Sequence, residues 1–455
     1  MKTPMGTVAQ GLVDYFRCPE TFLKFALRDL ADETGYFRFG CGVTCYGRSF
    51  GGHGAHKVQR VLYDVAQDVV FNGSSVYLPF DPTEIVHNLR LERYPCAQDS
   101  RLRLRAKGAY YLLRPIFPFA LRRQIQKCQL TGWKRSLFPS WPIDHTIESI
   151  WQELLLLALK ASRADRIPFI WFWPNGATAA LIMTHDVESE KGRRYCSDLM
   201  DIDDRFDIKA SFQIVPEGRY SINTRFLDEI QKRGFEVALH GLTHDGRLFD
   251  EREKFLRRAQ RINEYAKLYG AKGFRSAVLY RKPDWYDAFD FSYDMSIPNT
   301  AHLDPQRGGC CTVTPYFIGN ILELPVTTTQ DYMLFHLLGE SSIDLWKKQM
   351  ETIADQNGLV SFIIHPDYAI RKELKHLYNN LLSYLSEVRS TKRIWVALPS
   401  EVDRWWRARS KMRIAQTGNA WRIEGEGADR AILAYAREDE GKLVYKLQPD
   451  AALAH

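Results

Sequence analysis

At 455 residues, 45% of them hydrophobic and 26% charged, the chain has material for two or three domains and is too apolar to be a disordered polypeptide. No uninterrupted apolar run approaches the roughly 18 residues that a membrane-spanning helix needs. The formal charge of +7 is concentrated: between Ser100 and Ile143 stand ten Lys or Arg and no Asp or Glu, so the remainder is net acidic.

The opening residues show no charged segment followed by an apolar one, which predicts no secretory signal. The eight cysteines are then expected as reduced thiols in a cytoplasmic protein, with peripheral membrane association left open. An amphipathic helix is predicted over Leu12–Leu30, a Gly-rich loop over Gly47–His56 and a second helix over Lys57–Phe71. The basic segment follows, threaded with aromatics from Tyr110 to Trp141 and broken by Pro115, Pro118, Pro139 and Pro142. It reads either as a packed connector whose Arg and Lys stems lie over apolar surface, or as a contact with an anionic membrane or the pyrophosphate of a lipid-linked glycan. No nucleic-acid motif accompanies the charge, so nucleic acid is not an expected partner. A further helix is predicted over Ile147–Ser162.

From Ala179 short apolar runs alternate with helical stretches, the pattern of βα units around a parallel sheet. The expected fold class is α/β: a distorted (β/α) barrel of about seven strands within 166–410. It is preceded by a mostly helical, basic N-terminal domain (1–165) and followed by a small β appendage (411–455).

Polar residues collect at the C-terminal ends of the predicted strands, where such barrels carry their sites. The first strand ends in Thr184-His185-Asp186-Val187-Glu188, and the third in His240-Gly241-Leu242-Thr243-His244-Asp245. The fourth ends in Arg275 and the seventh in His365-Pro366-Asp367. Two neutral histidines and a carboxylate suit a borderline divalent cation with one position left for water. A second carboxylate can take that water's proton, a separate imidazole can protonate a leaving group, and an arginine beside the base keeps it ionised. The parts match metal-assisted hydrolysis of an amide or ester.

In this order the motifs resemble the polysaccharide deacetylases of carbohydrate esterase family 4, over roughly Ala179 to Pro399. The matching segments are Thr184–Glu188, His240 with His244, Arg275, Tyr293–Pro298, Ile321–Thr327 and Phe362–His365. The resemblance implies Asp186 as catalytic base, His365 as general acid and Arg275 as the group that tethers and tunes Asp186. It implies Glu188, His240 and His244 as ligands of a divalent metal, Zn2+ first, with Mn2+, Co2+ or Ni2+ as alternatives. The family's adjacent second Asp is Val187 here, so whether Asp186 or Glu188 ligates the ion stays open. Ala277 stands where a Pro is expected. Asp294 is expected as a substrate-groove or structural residue, and Trp285 near the substrate, stacking on a sugar face, or buried in the core.

Smaller expectations attach to other residues. His185 should pack behind the site, Asp245 should cap a loop and Cys310-Cys311 should be buried thiols. Cys41 and Cys45 lack the second pair of a zinc ribbon, and His53 and His56 belong to a solvated loop. The implied function is removal of an acetyl group from an N-acetylated sugar of a polysaccharide or lipid-linked glycan. The alternatives are a deformylase or other C–N amide hydrolase, and a silent glycan-binding protein that has lost its ion.

Overall fold

The computed structural model describes residues 6–40, 42–95, 124–128, 130–418 and 420–448. Of the ten basic residues in the segment, those from Arg101 to Arg123 lie outside the described residues. The chain divides into two units, one formed by Met1–Tyr94, His145–Thr178 and Arg404–His455, the other by Pro95–Asp144 and Ala179–Asp403.

The first unit is a mixture of helix and sheet, not the helical domain expected. Helix α1 (Gly6–Phe16) stops well short of Leu30. Pro19 lies just beyond it, and a proline disfavours helix in the residue before it. Strands β1 (Phe25–Leu27), β2 (Leu30–Phe39) and β3 (Val43–Phe50) follow, with β2 and β3 antiparallel. Residues of β3 alternate buried and half-buried, a period-2 pattern that the neighbouring glycines disguised as loop. The second expected helix is a 3-10 turn at Val65–Asp68, followed by β4 (Val70–Asn72) and β5 (Ser75–Leu78). Helix α2 (Pro82–Arg90) starts where Asp81 accepts from the Thr83 N–H at 2.9 Å, with Pro82 at its first position. Helix α3 (Thr146–Ser162) is the one expected here. It buries Ile147, Ile150, Trp151, Leu154, Leu155, Ala158 and Leu159, the stripe that a 3.6-residue period places on one side. Strand β6 (Ile167–Ile170) ends this part of the unit.

The second unit is built on β7 (Ala179–Val187), α4 (Glu190–Arg205), β8 (Ala210–Ile214), α5 (Thr224–Lys232), β9 (Glu236–His240) and α6 (Arg252–Tyr269). Then come β10 (Gly273–Arg275), β11 (Tyr293–Asp294), β12 (Tyr316–Ile318) and β13 (Ile321–Glu323). Helix α7 (Asp344–Asp355), β14 (Leu359–Ile364), α8 (Lys372–Thr391) and β15 (Ile394–Val396) complete it. The sheet order is β12-β13-β11-β10-β9-β8-β7-β14, with β15 also on β7, and all pairs are parallel except β12 with β13. Strands β7 and β14 are buried at every position, as a parallel sheet covered on both faces requires. The distorted barrel is therefore as expected, with eight parallel strands where about seven were predicted and the antiparallel edge strand β12 unforeseen.

The distortion has a local cause. Among the described residues no ladder joins the β12 and β13 side of the sheet to β14. After Pro325, which has no N–H to give, Thr327 Oγ1 donates to the Leu359 carbonyl at 2.8 Å and Thr328 Oγ1 to that of Ser361 at 2.7 Å. Ser361 N–H donates back to Thr327 Oγ1 at 2.9 Å, so threonine hydroxyls stand in for the missing ladder.

Helix α9 (Pro399–Lys411) leads to two hairpins, β16 (Arg413–Thr417) with β17 (Ala420–Glu424) and β18 (Leu433–Asp439) with β19 (Lys442–Leu447). The strands were expected, but they are not a separate appendage. β18 pairs antiparallel with β6, Ala434 opposite Phe169, and completes a three-stranded sheet of the first unit. Buried Arg409 fastens this unit, donating to the carbonyls of Tyr15 (3.0 Å) and Phe16 (3.4 Å) at the end of α1, and of Ile170 (2.7 Å) and Trp171 (2.9 Å). Burial pulls its pKa down to about 9. Arg409→Met is expected to leave those buried carbonyls unpaired and cost about 3 kcal/mol, read by urea denaturation.

Candidate metal centre and its flanking groups

Three strand ends deliver the site. His240 closes β9 opposite Arg275 of β10, and the chain then turns through Gly241 (φ +65°). His244 itself takes a left-handed conformation, φ 54°, which is rare away from glycine and tends to persist at functional positions. This tight return brings the two imidazoles to a centroid separation of 4.8 Å. Glu188, just past β7, faces both: its Oε1 is 2.8 Å from His244 Nε2 and 3.7 Å from His240 Nε2. Among the described residues, Glu188, His240 and His244 form a group whose ligand atoms all lie within 4.8 Å of one another.

The donor set fits a divalent cation. His240 Nε2 is buried without a hydrogen-bond partner and His244 Nε2 is buried against the Glu188 carboxylate, an arrangement in which a coordinated cation satisfies all three groups. The other nitrogen of His240, Nδ1, lies 3.2 Å from the Arg275 carbonyl, a contact that puts the proton on Nδ1 and turns the Nε2 lone pair toward Glu188. Burial, together with the charges of neighbouring His240 and Arg219, holds the pKa of His244 below its ordinary value against the pull of Glu188. Neutral imidazole is the form that binds metal. Burial works to protonate Glu188, but His244, His240 and His365 outweigh it and keep the carboxyl well below the ordinary range. Arg219 holds the histidine loop from outside, donating to the His244 carbonyl at 2.7 Å with His244 Nδ1 3.3 Å away.

Asp186 stands beside this group with its two oxygens in different surroundings. Oδ1 accepts from Arg275 Nη1 at 2.6 Å, and Oδ2 lies 3.7 Å from His240 Nε2. Arg275 is fully buried, and its placement is shared by Thr184 Oγ1 (2.8 Å) and the Met295 carbonyl (2.9 Å). Thr184 in turn donates to the Phe362 carbonyl at 2.6 Å, fixing β7 to β14. Burial would raise the pKa of Asp186, yet Arg275, His240 and His365 bring it below the ordinary value. It is an ionised carboxylate with one oxygen free toward the cluster.

On the opposite side His365 Nε2 lies 3.6 Å from Glu188 Oε1. Its Nδ1–H donates to Asp331 Oδ1 at 2.6 Å, and its main-chain N–H to Asp331 Oδ2 at 2.8 Å, so one carboxylate holds both ring and backbone. Burial favours the neutral ring, but the Asp331 charge outweighs it and the pKa stands well above the ordinary histidine value. Asp331 was not foreseen. It lies 34 residues before His365 at the N-terminal cap of a short helical segment, Tyr332–Leu338, and no spacing in the sequence links the two.

The other expected residues sort differently. Asp294 does not join the cluster: it is buried, accepting from Ser296 Oγ at 2.7 Å and Ser296 N–H at 3.2 Å, opposite Glu323 in the β11–β13 register. Trp285 is packed too, 5.2 Å from the Phe255 ring with the Lys282 ammonium 4.1 Å from its own ring. It is half-buried, packed against the edge of the core. His185 is fully buried behind β7, with Asp203 Oδ2 2.9 Å from its Nε2 and the Tyr378 hydroxyl donating to the same carboxylate. Asp245 caps its loop, accepting from Arg258 at 2.7 and 3.0 Å. Cys310 and Cys311 are buried free thiols. Cys41 lies outside the described residues.

The buried pair Asp294 and Glu323 carries a pH signature. Burial, then the Asp294 charge, raises the Glu323 pKa well above the ordinary carboxylate value. The folded protein therefore binds a proton that the unfolded chain has released, and stability falls as pH rises from the ordinary carboxylate range through the raised pKa. Glu323→Gln keeps a donor for Asp294 and is expected to flatten the dependence of the denaturation midpoint on pH across this range.

Fold and cluster together define a class: a distorted (β/α) barrel whose C-terminal rim holds a His/His/Glu cation-type group between an arginine-paired carboxylate and an aspartate-paired imidazole. No protein-family model and no curated protein sequence matches the chain. Solved structures do align with it. A Mycobacterium smegmatis protein assigned to the polysaccharide deacetylases is 20% identical, with 55% of this chain and 96% of that chain covered at a TM-score of 0.43. Puue allantoinase is 16% identical, with 51% and 92% covered at a TM-score of 0.38. The Xyl-CE4 domain of a multidomain xylanase from the hindgut metagenome of Trinervitermes trinervoides is 12% identical, with 50% and 92% covered at a TM-score of 0.32.

Proposed function

We propose that the protein is a metal-dependent hydrolase that removes the acetyl group from an N-acetylated sugar of a polysaccharide or lipid-linked glycan. One observation carries the reading: Glu188, His240 and His244 converge, with His240 Nε2 left unpartnered, between Asp186 and His365. The motif order along the chain supports the family. Glu188, His240 and His244 would hold the ion, Zn2+ first on the chemistry of a two-imidazole, one-carboxylate set. Such an ion, when bound, acidifies water and polarises a carbonyl oxygen.

The chain's own groups supply the proton transfers. Asp186, kept ionised by Arg275, presents Oδ2 to take the proton of an attacking water. His365, kept protonated by Asp331, presents Nε2–H toward the same space to protonate the departing amine nitrogen. The C–N bond then breaks, giving acetate and a free amino sugar. Glu188 is the ligand in this reading and Asp186 the base, because the Arg275 bond occupies one Asp186 oxygen while Glu188 touches both histidines. The setting proposed for this chemistry is cytoplasmic, with the membrane surface as a place of peripheral contact.

The test joins elemental analysis of the purified protein to release assays on a panel of N-acetylated oligosaccharides. Stoichiometric metal with acetate release upholds the proposal. Formate release, or cleavage of cyclic amides alone, points to another C–N hydrolase on this barrel. A protein that binds the glycans yet takes up no metal on reconstitution is a silent binder, and the hydrolase reading fails.

A further inference from the structure

The basic segment plays no part in the chemistry above, and its described residues form a surface of their own. Residues 124–128 and 130–144 belong to the barrel unit and are fastened to it. The Tyr332 hydroxyl bonds Gln126 Oε1, Leu130 and Trp133 pack with Leu303, Met333 and Leu337, and Gln349 Nε2 donates to the Pro142 carbonyl at 3.2 Å. Asp144 and Asn299 exchange hydrogen bonds, Asp144 N–H to Asn299 Oδ1 at 2.8 Å and Asn299 Nδ2 to the Asp144 carbonyl at 2.5 Å. The residues fastened there include Tyr332, next to Asp331, so the segment sits on the stretch that holds the general acid.

Its outward side is cationic and apolar at once. Lys127, Lys134 and Arg135 are exposed, and among the described residues none pairs with a carboxylate. Between them Leu137 is 45% exposed and Trp133 half-buried, the latter stacked edge-on against Trp141 at 4.7 Å. Some surface cations elsewhere on this chain are matched, as Arg233 is with Asp201 and Asp204 and Arg389 with Asp207. The sequence places no acid anywhere from Ser100 to Ile143 that could match these three. Unpaired Lys and Arg beside a Trp and an exposed Leu are the composition that seats a protein on an anionic bilayer. The cations meet the headgroup phosphates and the aromatic and aliphatic groups enter the interface.

We propose that the face formed by Lys127, Trp133, Lys134, Arg135 and Leu137 docks the barrel unit on an anionic phospholipid surface. This inference does not depend on the acetyl-group chemistry. It calls for co-sedimentation of the full chain with vesicles of phosphatidylcholine alone and of phosphatidylcholine mixed with phosphatidylglycerol, at low and high salt. Binding only to the mixed vesicles, weakened by salt, is expected. The triple variant Lys127→Gln, Lys134→Gln, Arg135→Gln should lose on the order of 100-fold in partitioning, since each surface cation near an anionic leaflet contributes about fivefold. These side chains are exposed, so the variant should denature as the wild type does and act equally on a soluble acetylated oligosaccharide. Equal binding to both kinds of vesicle, or an unchanged partition coefficient in the triple variant, overturns the proposal. So does salt-sensitive capture by a soluble polyanion without vesicle binding, which identifies a polyanion partner instead.

Discussion

Asp186→Asn is expected to lower kcat by about 10³- to 10⁴-fold while leaving stoichiometric metal in place, because it removes the one carboxylate positioned to accept the water's proton. The amide is nearly isosteric and keeps an oxygen for the Arg275 bond of 2.6 Å. In place of the oxygen that lies 3.7 Å from His240 it presents an N–H group that cannot accept a proton. The substitution also strips the charge that faces fully buried Arg275, so a lower melting temperature accompanies the lost turnover. Metal analysis distinguishes the two carboxylates. If Asp186 were the ligand, Asp186→Asn would lose the ion and Glu188→Gln would keep it. Near-wild-type turnover in Asp186→Asn sinks the assignment of the base.

The second large effect belongs to Asp331. The acid form of His365 exists below its pKa, so activity is lost as pH rises through that value. The Asp331 charge places this limb well above the ordinary histidine range. Asp331→Asn preserves an acceptor for the Nδ1–H but removes the charge, and burial then dominates and pushes the ring toward its neutral form. The alkaline limb of the kcat profile should move to lower pH, with a loss on the order of 10²-fold at mildly alkaline pH. The acid limb, set by Asp186 held below the ordinary carboxylate value, should stay in place. A profile that falls uniformly at every pH, with no displacement of the alkaline limb, would show that Asp331 serves only the architecture.

The sequence carried the barrel well because its elements are short and strongly patterned. The runs at Ala179–Val187 and Leu359–Ile364 are apolar throughout, as strands buried on both faces must be, and the helices between them keep a 3.6-residue period. The first unit was legible only in α3 and the C-terminal strands. Its strands β2 and β3 are interrupted or flanked by glycines, and only β3 alternates between buried and half-buried positions. What stabilises them is pairing with each other and, for β6, with β18 some 260 residues downstream. A non-local pairing leaves no mark in a local window.

At the site the same division holds. The identity of His240, His244, Asp186, Glu188, Arg275 and His365, and their position at strand ends, was written in the chain. The strand period determines which residue meets the rim, and the parallel order of the strands brings those rims together. Only the tertiary structure decided that Asp331 holds His365, that the Asp294 carboxyl is taken up by Ser296 and faces Glu323, and that half-buried Trp285 packs against Phe249 and Phe255. These outcomes depend on which side chains meet across distant segments and how far each is taken out of water. Burial and a charged neighbour set the protonation of a carboxyl or an imidazole, and neither is a property of the residue type or its spacing.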